Sequence, residues 1–157
     1  MIKKITLMLA AMLVFSVSSV FAAAADNSIY DKDEKIFVQE FNNAAKNFGF
    51  KIKELKYLED HNGGVAYGAE IDGLKDVDAF INTNSSGTVS SIMFIADNKD
   101  SAEKLFNSTV TTLQIDAPYK DEINEIVMKT ATNKNVTVDV SVNDGVKGKV
   151  YLLMFRK

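Results

Sequence analysis

The segment Val89–Ala96 (VSSIMFIA) carries apolar side chains at consecutive positions from Ile92 onward. Because successive side chains of a β-strand point to opposite faces of a sheet, a strand that is apolar on both phases has both faces covered. The run Asn84–Gly87 (NSSG) precedes this segment and is typical of a turn. The segment therefore predicts a strand that is buried on both faces.

Three more strands are expected before this segment, each bounded by turn residues. Val65 to Ile71 and Val77 to Ile81 alternate apolar and polar residues, whereas the apolar residues of Phe50 to Leu58 change phase and indicate a bulge. The turn signals are Asn62-Gly63-Gly64 and Asp72-Gly73. Together with Val89–Ala96, these segments predict an antiparallel meander.

A helix is predicted ahead of the meander. Asp31 and Glu34 have the spacing of a capping box, and Gly49 stands where a glycine ends a helix. Between them, one face carries apolar residues at helical spacing, which indicates packing on a sheet. These residues are Phe37, Phe41, Ala44, Ala45 and Phe48.

Two more helices are expected after the meander. Asp100 and Glu103 form a second capping box, and Pro118 is typical of a first helical turn. The second helix would bury Ala102, Leu105, Phe106, Val110 and Leu113, and the third would bury Tyr119, Ile123, Ile126, Val127 and Thr130.

A hairpin follows, in which Val136 to Val142 alternate with polar residues, Asp144-Gly145 forms the turn, and Val150 to Phe155 is apolar on both phases. The predicted order is α-β-β-β-β-α-α-β-β. Strands that occur in blocks favour an α+β fold, here an antiparallel sheet of about six strands with the helices on one face.

The first 25 residues have the pattern of a secretory signal peptide: basic Lys3 and Lys4, an apolar run from Ile5 to Phe21, and a run of alanines. We expect cleavage after one of the residues Ala22 to Ala25. An uncleaved membrane anchor is disfavoured because the apolar run is short for a span. Residues 26–157 are then one globular domain, exported by a bacterium to the periplasm or the medium.

Composition excludes several classes of function. The chain has a net charge of −3, and loss of Lys3 and Lys4 with the leader makes it −5, which disfavours nucleic acid and anionic membranes as partners. It contains no cysteine, so disulfides, thiolate metal sites, a cysteine nucleophile and a lipidated N-terminal cysteine are all excluded. No cofactor is expected.

The sequence indicates no metal site and no catalytic residue. His61 is the only histidine, and it lies in a predicted turn, where side chains are seldom held in a fixed geometry. Carboxylates remain as candidates, because a hydrolase needs only two or three that converge. Glu70, Asp78 and Asp139 occupy the phase opposite the main apolar set of their strands, so they would share the sheet face that lacks helices. Ordinary solvent-exposed polar positions are the simpler interpretation.

The same face is predicted to carry Phe80 from the third strand and Tyr151, Leu153 and Phe155, or their alternates, from the last one. Large apolar patches on a protein surface usually mark contact surfaces. Curling of the sheet, a covering loop, or face-to-face packing of two copies would also account for such a patch. The candidate ligand- or partner-binding residues are Phe80, Tyr151, Phe155, Glu70, Asp78 and Asp139.

These observations favour an exported, non-catalytic protein that binds another protein or a small ligand through its open sheet face. Two alternatives stay open: a small carboxylate-dependent hydrolase, and a homodimer with the sheet face as its subunit interface.

Overall fold

The computed structural model describes residues 27–157, which form one antiparallel sheet and two α-helices. The helices are α1 (Glu34–Ala45), extended by a short 3-10 turn at Lys46–Phe48, and α2 (Lys99–Leu113). The strands are β1 (Tyr30–Asp33), β2 (Lys51–His61), β3 (Gly64–Asp72), β4 (Val77–Thr83), β5 (Thr88–Ala96), β6 (Ile123–Lys129), β7 (Asn135–Gly145) and β8 (Gly148–Arg156).

The sheet joins the meander to the C-terminal strands in the order β2-β3-β4-β5-β8-β7-β6. The short β1 also pairs with β5, with Tyr30 opposite Val89. β8 pairs with β5 from Ser91 to Ala96, so β1 continues the line of β8 along the same edge of β5. The segment Val89–Ala96 is therefore a central strand with partners on both edges.

Both helices pack on one face of the sheet, which we call the helix side. Phe37 and Phe41 of α1 are fully buried there, and the Phe41 ring stacks on Phe94 of β5 with 5.9 Å between centroids. Phe106 of α2 meets Phe155 of β8 at 5.6 Å. The α+β class, the antiparallel sheet and its single helical layer are thus confirmed.

Both helices begin at a different cap from the predicted one. The Asp33 carboxylate accepts from the Ile36 N–H at 2.9 Å, and the Asn98 side chain accepts from the Ser101 N–H at 2.9 Å. Asp31 and Asp100 were therefore the wrong caps, because nearby Asp and Asn side chains offer the same acceptor and sequence spacing does not distinguish them. Gly49 ends the first helical segment with a φ of 77°, as predicted.

The predicted third helix is wrong, because Ile123–Lys129 is strand β6 and pairs with β7. Ile126 and Val127 are 50% and 62% exposed, so the apolar residues at helical spacing do not form a buried stripe. β-Branched residues suit an extended edge strand equally well. The structure therefore has eight strands and two helices in residues 27–157, instead of about six and three.

The turns were largely predicted. Asn62 and Gly63 connect β2 to β3 with positive φ angles of 49° and 81°. β2 contains two register shifts, in agreement with the change of phase in its sequence. The last hairpin differs from the predicted one, which had its turn at Asp144-Gly145. In the structure β7 continues through Gly145, and the turn is Val146-Lys147.

The proposed leader, residues 1–25, lies outside the described residues. Within residues 27–157, no helix has the length and apolar character needed to cross a membrane.

Asn42 of α1 is predicted to hold the edge of β2. Its side chain donates to the Ile52 carbonyl at 2.8 Å and accepts from the Ile52 N–H at 2.7 Å, so it takes the place of a neighbouring strand. We expect Asn42→Ala to lower the free energy of unfolding by about 1–3 kcal/mol, because it leaves two backbone groups without partners. Urea denaturation measures this loss. Asn43→Ala, at an exposed position of the same helix, is the control, and an equal loss in both variants would contradict this role.

Candidate interaction surface on the second sheet face

The sheet face opposite the helices, which we call the second face, is built by alternation along five strands. The register places Gly68 opposite Phe80, Phe80 opposite Met93, Met93 opposite Met154, and Met154 opposite Asp139. These residues therefore form one continuous row across β3, β4, β5, β8 and β7. The row changes from apolar to acidic at β7.

An apolar stripe occupies the middle of the second face. Phe80, Met93 and Ile95 are only 8%, 2% and 7% exposed, and half-buried neighbours from β2 and β8 pack around them. Every member of this cluster comes from a strand, and none comes from a helix or loop of residues 27–157. The apolar stripe consists of Leu58, Phe80, Met93, Ile95, Val150, Leu152 and Met154.

Gly68 makes room for one end of the stripe. A Cβ atom at Gly68 would lie 3.5 Å from a Leu58 methyl group, so the leucine side chain rests on the bare backbone of β3. The register shift between Tyr57 and Glu59 accompanies this placement. The apolar surface therefore extends from β8 to β2.

Lysines and acids border the stripe on the β2–β3 side. The Glu70 carboxylate accepts from Lys56 Nζ at 2.9 Å and from Lys53 Nζ at 3.1 Å. These hydrogen bonds hold the pKa of the Glu70 carboxyl below its usual value, and the one from Lys56 has the largest effect. The charges on this border are thus largely matched within the chain.

The β6–β7 side has a different electrostatic balance. Arg156 donates to the carboxylate of Glu125, and Asp139 lies next to this pair. Burial raises the pKa of the Asp139 carboxyl; the negative charge of Glu125 adds to the rise, and Arg156 opposes it. Asp139 is therefore an acid that the fold holds in an unfavourable environment.

Four of the predicted binding residues lie on the second face, namely Phe80, Glu70, Asp78 and Asp139. The other two lie on the helix side: Phe155 is fully buried in the core and Tyr151 packs against it.

The alternate phase of β8 supplies the stripe in their place, through Val150, Leu152 and Met154. The sequence leaves these alternates open without choosing them, because both phases of the strand are apolar. The valines of β7 could have resolved the phase, since Val138 lies opposite Phe155 and Val140 opposite Leu153.

The three candidate acids do not all converge, although Glu70 and Asp78 lie on neighbouring strands beside the pair Ala69–Ala79. Asp78 lies on β4 and Asp139 on β7, with β5 and β8 between them. Three steps between neighbouring strands, each about 4.8 Å, separate these acids by roughly 14 Å. Glu70 is on the Asp78 side and is already bound to two lysines.

The described part of the chain does not bring His61 and its acids into one metal-binding group. His61 is the last residue of β2 and contacts the side chain of Asn62 at 3.1 Å, within the β2–β3 turn. Among residues 27–157, no group of three or more His, Asp or Glu side chains is arranged to hold a metal ion.

Two concave sites lie away from the second face. A cavity of about 380 Å³ is lined in part by Asn42, Phe50 and Asp72, and another of about 480 Å³ by Asn47 and Thr111 among others. Neither cavity includes a residue of the apolar stripe.

No family model matches this chain, and neither the curated proteins nor the solved structures contain a significant match.

We predict that Asp139→Asn stabilises the protein at neutral pH. A carboxyl whose pKa is higher in the folded than in the unfolded state binds more protons when folded, so its penalty is present above both pKa values and disappears below the unfolded one. The variant should therefore have a higher melting temperature than the wild type at pH 7, and this gain should vanish on acidification. Asp116→Asn, at an exposed position, is the control for the loss of one negative charge and should leave the melting temperature at pH 7 close to that of the wild type.

Proposed function

We propose that this chain is a non-catalytic binding protein and that the apolar stripe on the second face is its binding surface for another protein. The observation that carries this proposal is that the stripe consists of apolar side chains, several of which are exposed to solvent. Leu58, Leu152 and Met154 remain half-exposed beside buried Phe80 and Met93, and every apolar member of this cluster in residues 27–157 comes from a strand. An apolar centre with a polar border is the usual anatomy of a protein–protein interface.

A protein partner suits this surface better than a small ligand. Sites for small molecules are concave and enclose most of the ligand, whereas the stripe lies on a sheet face and both described cavities are elsewhere. The border charges give an ionic ligand little to bind, because Glu70 is matched by Lys53 and Lys56, and Glu125 is matched by Arg156. A complementary partner is therefore a protein whose own contact surface is apolar and uncharged at its centre.

The hydrolase alternative has less support. Two carboxylates in a glycosidase lie at most about 9.5 Å apart, and the separation of Asp78 from Asp139 is larger. Glu70 and Asp78 remain on neighbouring strands, but the lysine contacts of Glu70 favour its ionised form, and a general acid requires the protonated one.

The site of action in this proposal is outside the cytoplasm. The leader-like residues 1–25 and the absence of cysteine support export from a bacterium to the periplasm or medium, with residues 26–157 as the mature domain. Mass spectrometry of the chain recovered from envelope and medium fractions is expected to give an N-terminus within residues 23–26. Recovery of the intact chain in the cytoplasm alone would contradict export.

We predict that Leu152→Lys and Met154→Lys abolish partner binding. Each places a charge in the centre of the stripe, at a half-exposed position where a lysine can extend to solvent without unfolding the protein. Phe80→Asp is less suitable, because Phe80 is only 8% exposed and a buried carboxylate would destabilise the fold. Cross-linking in cells that express the full chain, followed by mass spectrometry of the captured proteins, compares the variants.

Val146→Lys is the matched control, because Val146 is fully exposed in the β7–β8 turn and outside the stripe. The proposal requires one partner that the wild type and Val146→Lys capture in equal amounts and that both stripe variants lose at unchanged melting temperature. Capture of the same partner by all four proteins, or of no partner at all, would refute it. Capture of the chain alone, lost in the stripe variants, would instead identify the face as a homodimer interface.

A further inference from the structure

A cleft of about 480 Å³ lies where the C-terminal ends of α1 and α2 meet. Sites for small molecules usually have volumes of about 300–1,000 Å³. Among the residues of 27–157 that line the cleft, only Ala44 and Phe48 are apolar. The others carry carboxylate, amide or hydroxyl groups, namely Glu40, Asn43, Asn47, Thr111, Thr112 and Gln114. The cleft is thus rich in groups that form hydrogen bonds.

Three side-chain amides in the cleft are available to a ligand. Asn43, Asn47 and Gln114 are exposed residues, and within the described part of the chain their side chains have no hydrogen-bond partner. Each amide offers two donor hydrogens and one acceptor oxygen. The Thr111 hydroxyl donates to the Asn107 carbonyl at 2.8 Å, so its oxygen can still accept. The cleft therefore presents both donors and acceptors to solvent.

The charge of the cleft does not favour an ionic ligand. The Glu40 carboxylate already accepts from Lys32 Nζ at 2.6 Å and from the Tyr30 hydroxyl. No lysine or arginine of residues 27–157 lines the cleft. The backbone carbonyls at the two helix ends carry partial negative charge, which disfavours an anion. A neutral molecule is therefore the ligand that this environment suits.

Phe48 gives the cleft a flat apolar wall. The residue belongs to the apolar face predicted for the first helix, but the structure leaves it 38% exposed. A sugar ring has C–H groups on its faces, which pack on an aromatic ring, and hydroxyl groups at its rim, which bond to amides and carboxylates. The combination of an exposed ring with neutral amides matches this chemistry.

Gln114 has a backbone conformation that glutamine rarely adopts. It ends α2 in the left-handed region with a φ of 52°, where asparagine and aspartate are more common. Gly49 occupies the corresponding place after α1 with a φ of 77°. Glycine adopts this region without steric cost, so folding alone favours glycine at position 114. A side chain kept there at a cost in stability indicates a role for its amide.

We propose that the cleft between the helix ends binds a neutral saccharide. The Phe48 ring packs against one face of the sugar, and the amides of Asn43, Asn47 and Gln114 bond to its hydroxyl groups. Binding is weak, because these exposed side chains enclose only part of the ligand. The site is independent of partner binding at the apolar stripe, since no residue of the stripe lines this cleft.

The test is a titration followed by NMR of the isotope-labelled protein. The probes are the neutral disaccharides cellobiose, maltose and diacetylchitobiose, with inorganic phosphate as the charged probe. We expect at least one disaccharide to shift the side-chain amide signals of Asn43, Asn47 and Gln114 with saturation in the millimolar range. The amide of Asn133, an exposed residue between β6 and β7, should not shift, and phosphate should leave all these signals unchanged.

Substitutions separate sugar binding from folding. Phe48→Ala should weaken binding about tenfold, whereas Phe48→Tyr keeps the ring and should bind like the wild type. Gln114→Gly should weaken binding and yet raise the melting temperature, because glycine relieves the backbone strain. Asn133→Gly is the matched control, since Asn133 is also left-handed with a φ of 60° but lies outside the cleft. This variant should bind the sugar normally.

Three results would overturn the proposal. They are no shift of the cleft amides with any disaccharide, an equal shift with phosphate, and wild-type binding by both Phe48→Ala and Gln114→Gly. Circular dichroism melting verifies that each variant is folded. If Phe48→Ala unfolds, the comparison of Gln114→Gly with Asn133→Gly decides, and equal binding by these two variants would contradict the site.

Discussion

The pairing of β5 with β8 is the contact on which the remaining structure depends. Both strands are apolar on both phases, so their register creates two apolar layers at once. On the helix side, Ile92 lies opposite Phe155 and Phe94 opposite Leu153. On the second face, Met93 lies opposite Met154. This pair also joins the meander β2–β5 to the strands β6–β8, which otherwise form separate sheets.

The two layers differ in size and in cover. The helix side is filled by aromatic rings from both helices, including Phe41 and Phe106, which pack at ring distances typical of aromatic pairs. In the described residues, the apolar stripe of the second face has methionine and aliphatic side chains that cover one another, together with the Phe80 ring. Methionine side chains are flexible and fill irregular gaps between other side chains. This asymmetry supports the proposal that the second face binds a partner while the helix side stabilises the fold.

The features predicted correctly are those that depend on residue type and on spacing along the chain. They include the strands of the meander and the burial of Val89–Ala96 on both faces. They also include the turn at Asn62-Gly63 and the left-handed conformation of Gly49. The helix predicted at Pro118 failed because β-branched residues at positions 123, 126 and 127 fit an edge strand as well as a helix. The decisive factor was β7, a partner distant from any local window.

The candidate site was predicted to a similar extent. The phase of β3, β4 and β7 correctly placed Glu70, Phe80 and Asp139 on one face, because polar and apolar residues alternate there. β8 offers no such alternation, so the choice between Phe155 and Met154 depends on pairing with β5 and β7. The separation of Asp139 from Asp78 and Glu70 depends on strand order, which no single segment encodes.

The order of the strands in the sheet also affects the order in which contacts form during folding. β4 directly precedes β5 in the chain, so these two strands can pair early. The strand β8 occupies most of the other edge of β5, but it follows α2, β6 and β7 in the sequence. Contacts of such large sequence separation form slowly, because the loop must close before it is stabilised. Until then β5, the most apolar strand of the meander, has one bare edge. A newly made chain is thus most vulnerable to aggregation in this interval, and a chaperone that shields residues 89–96 would protect it.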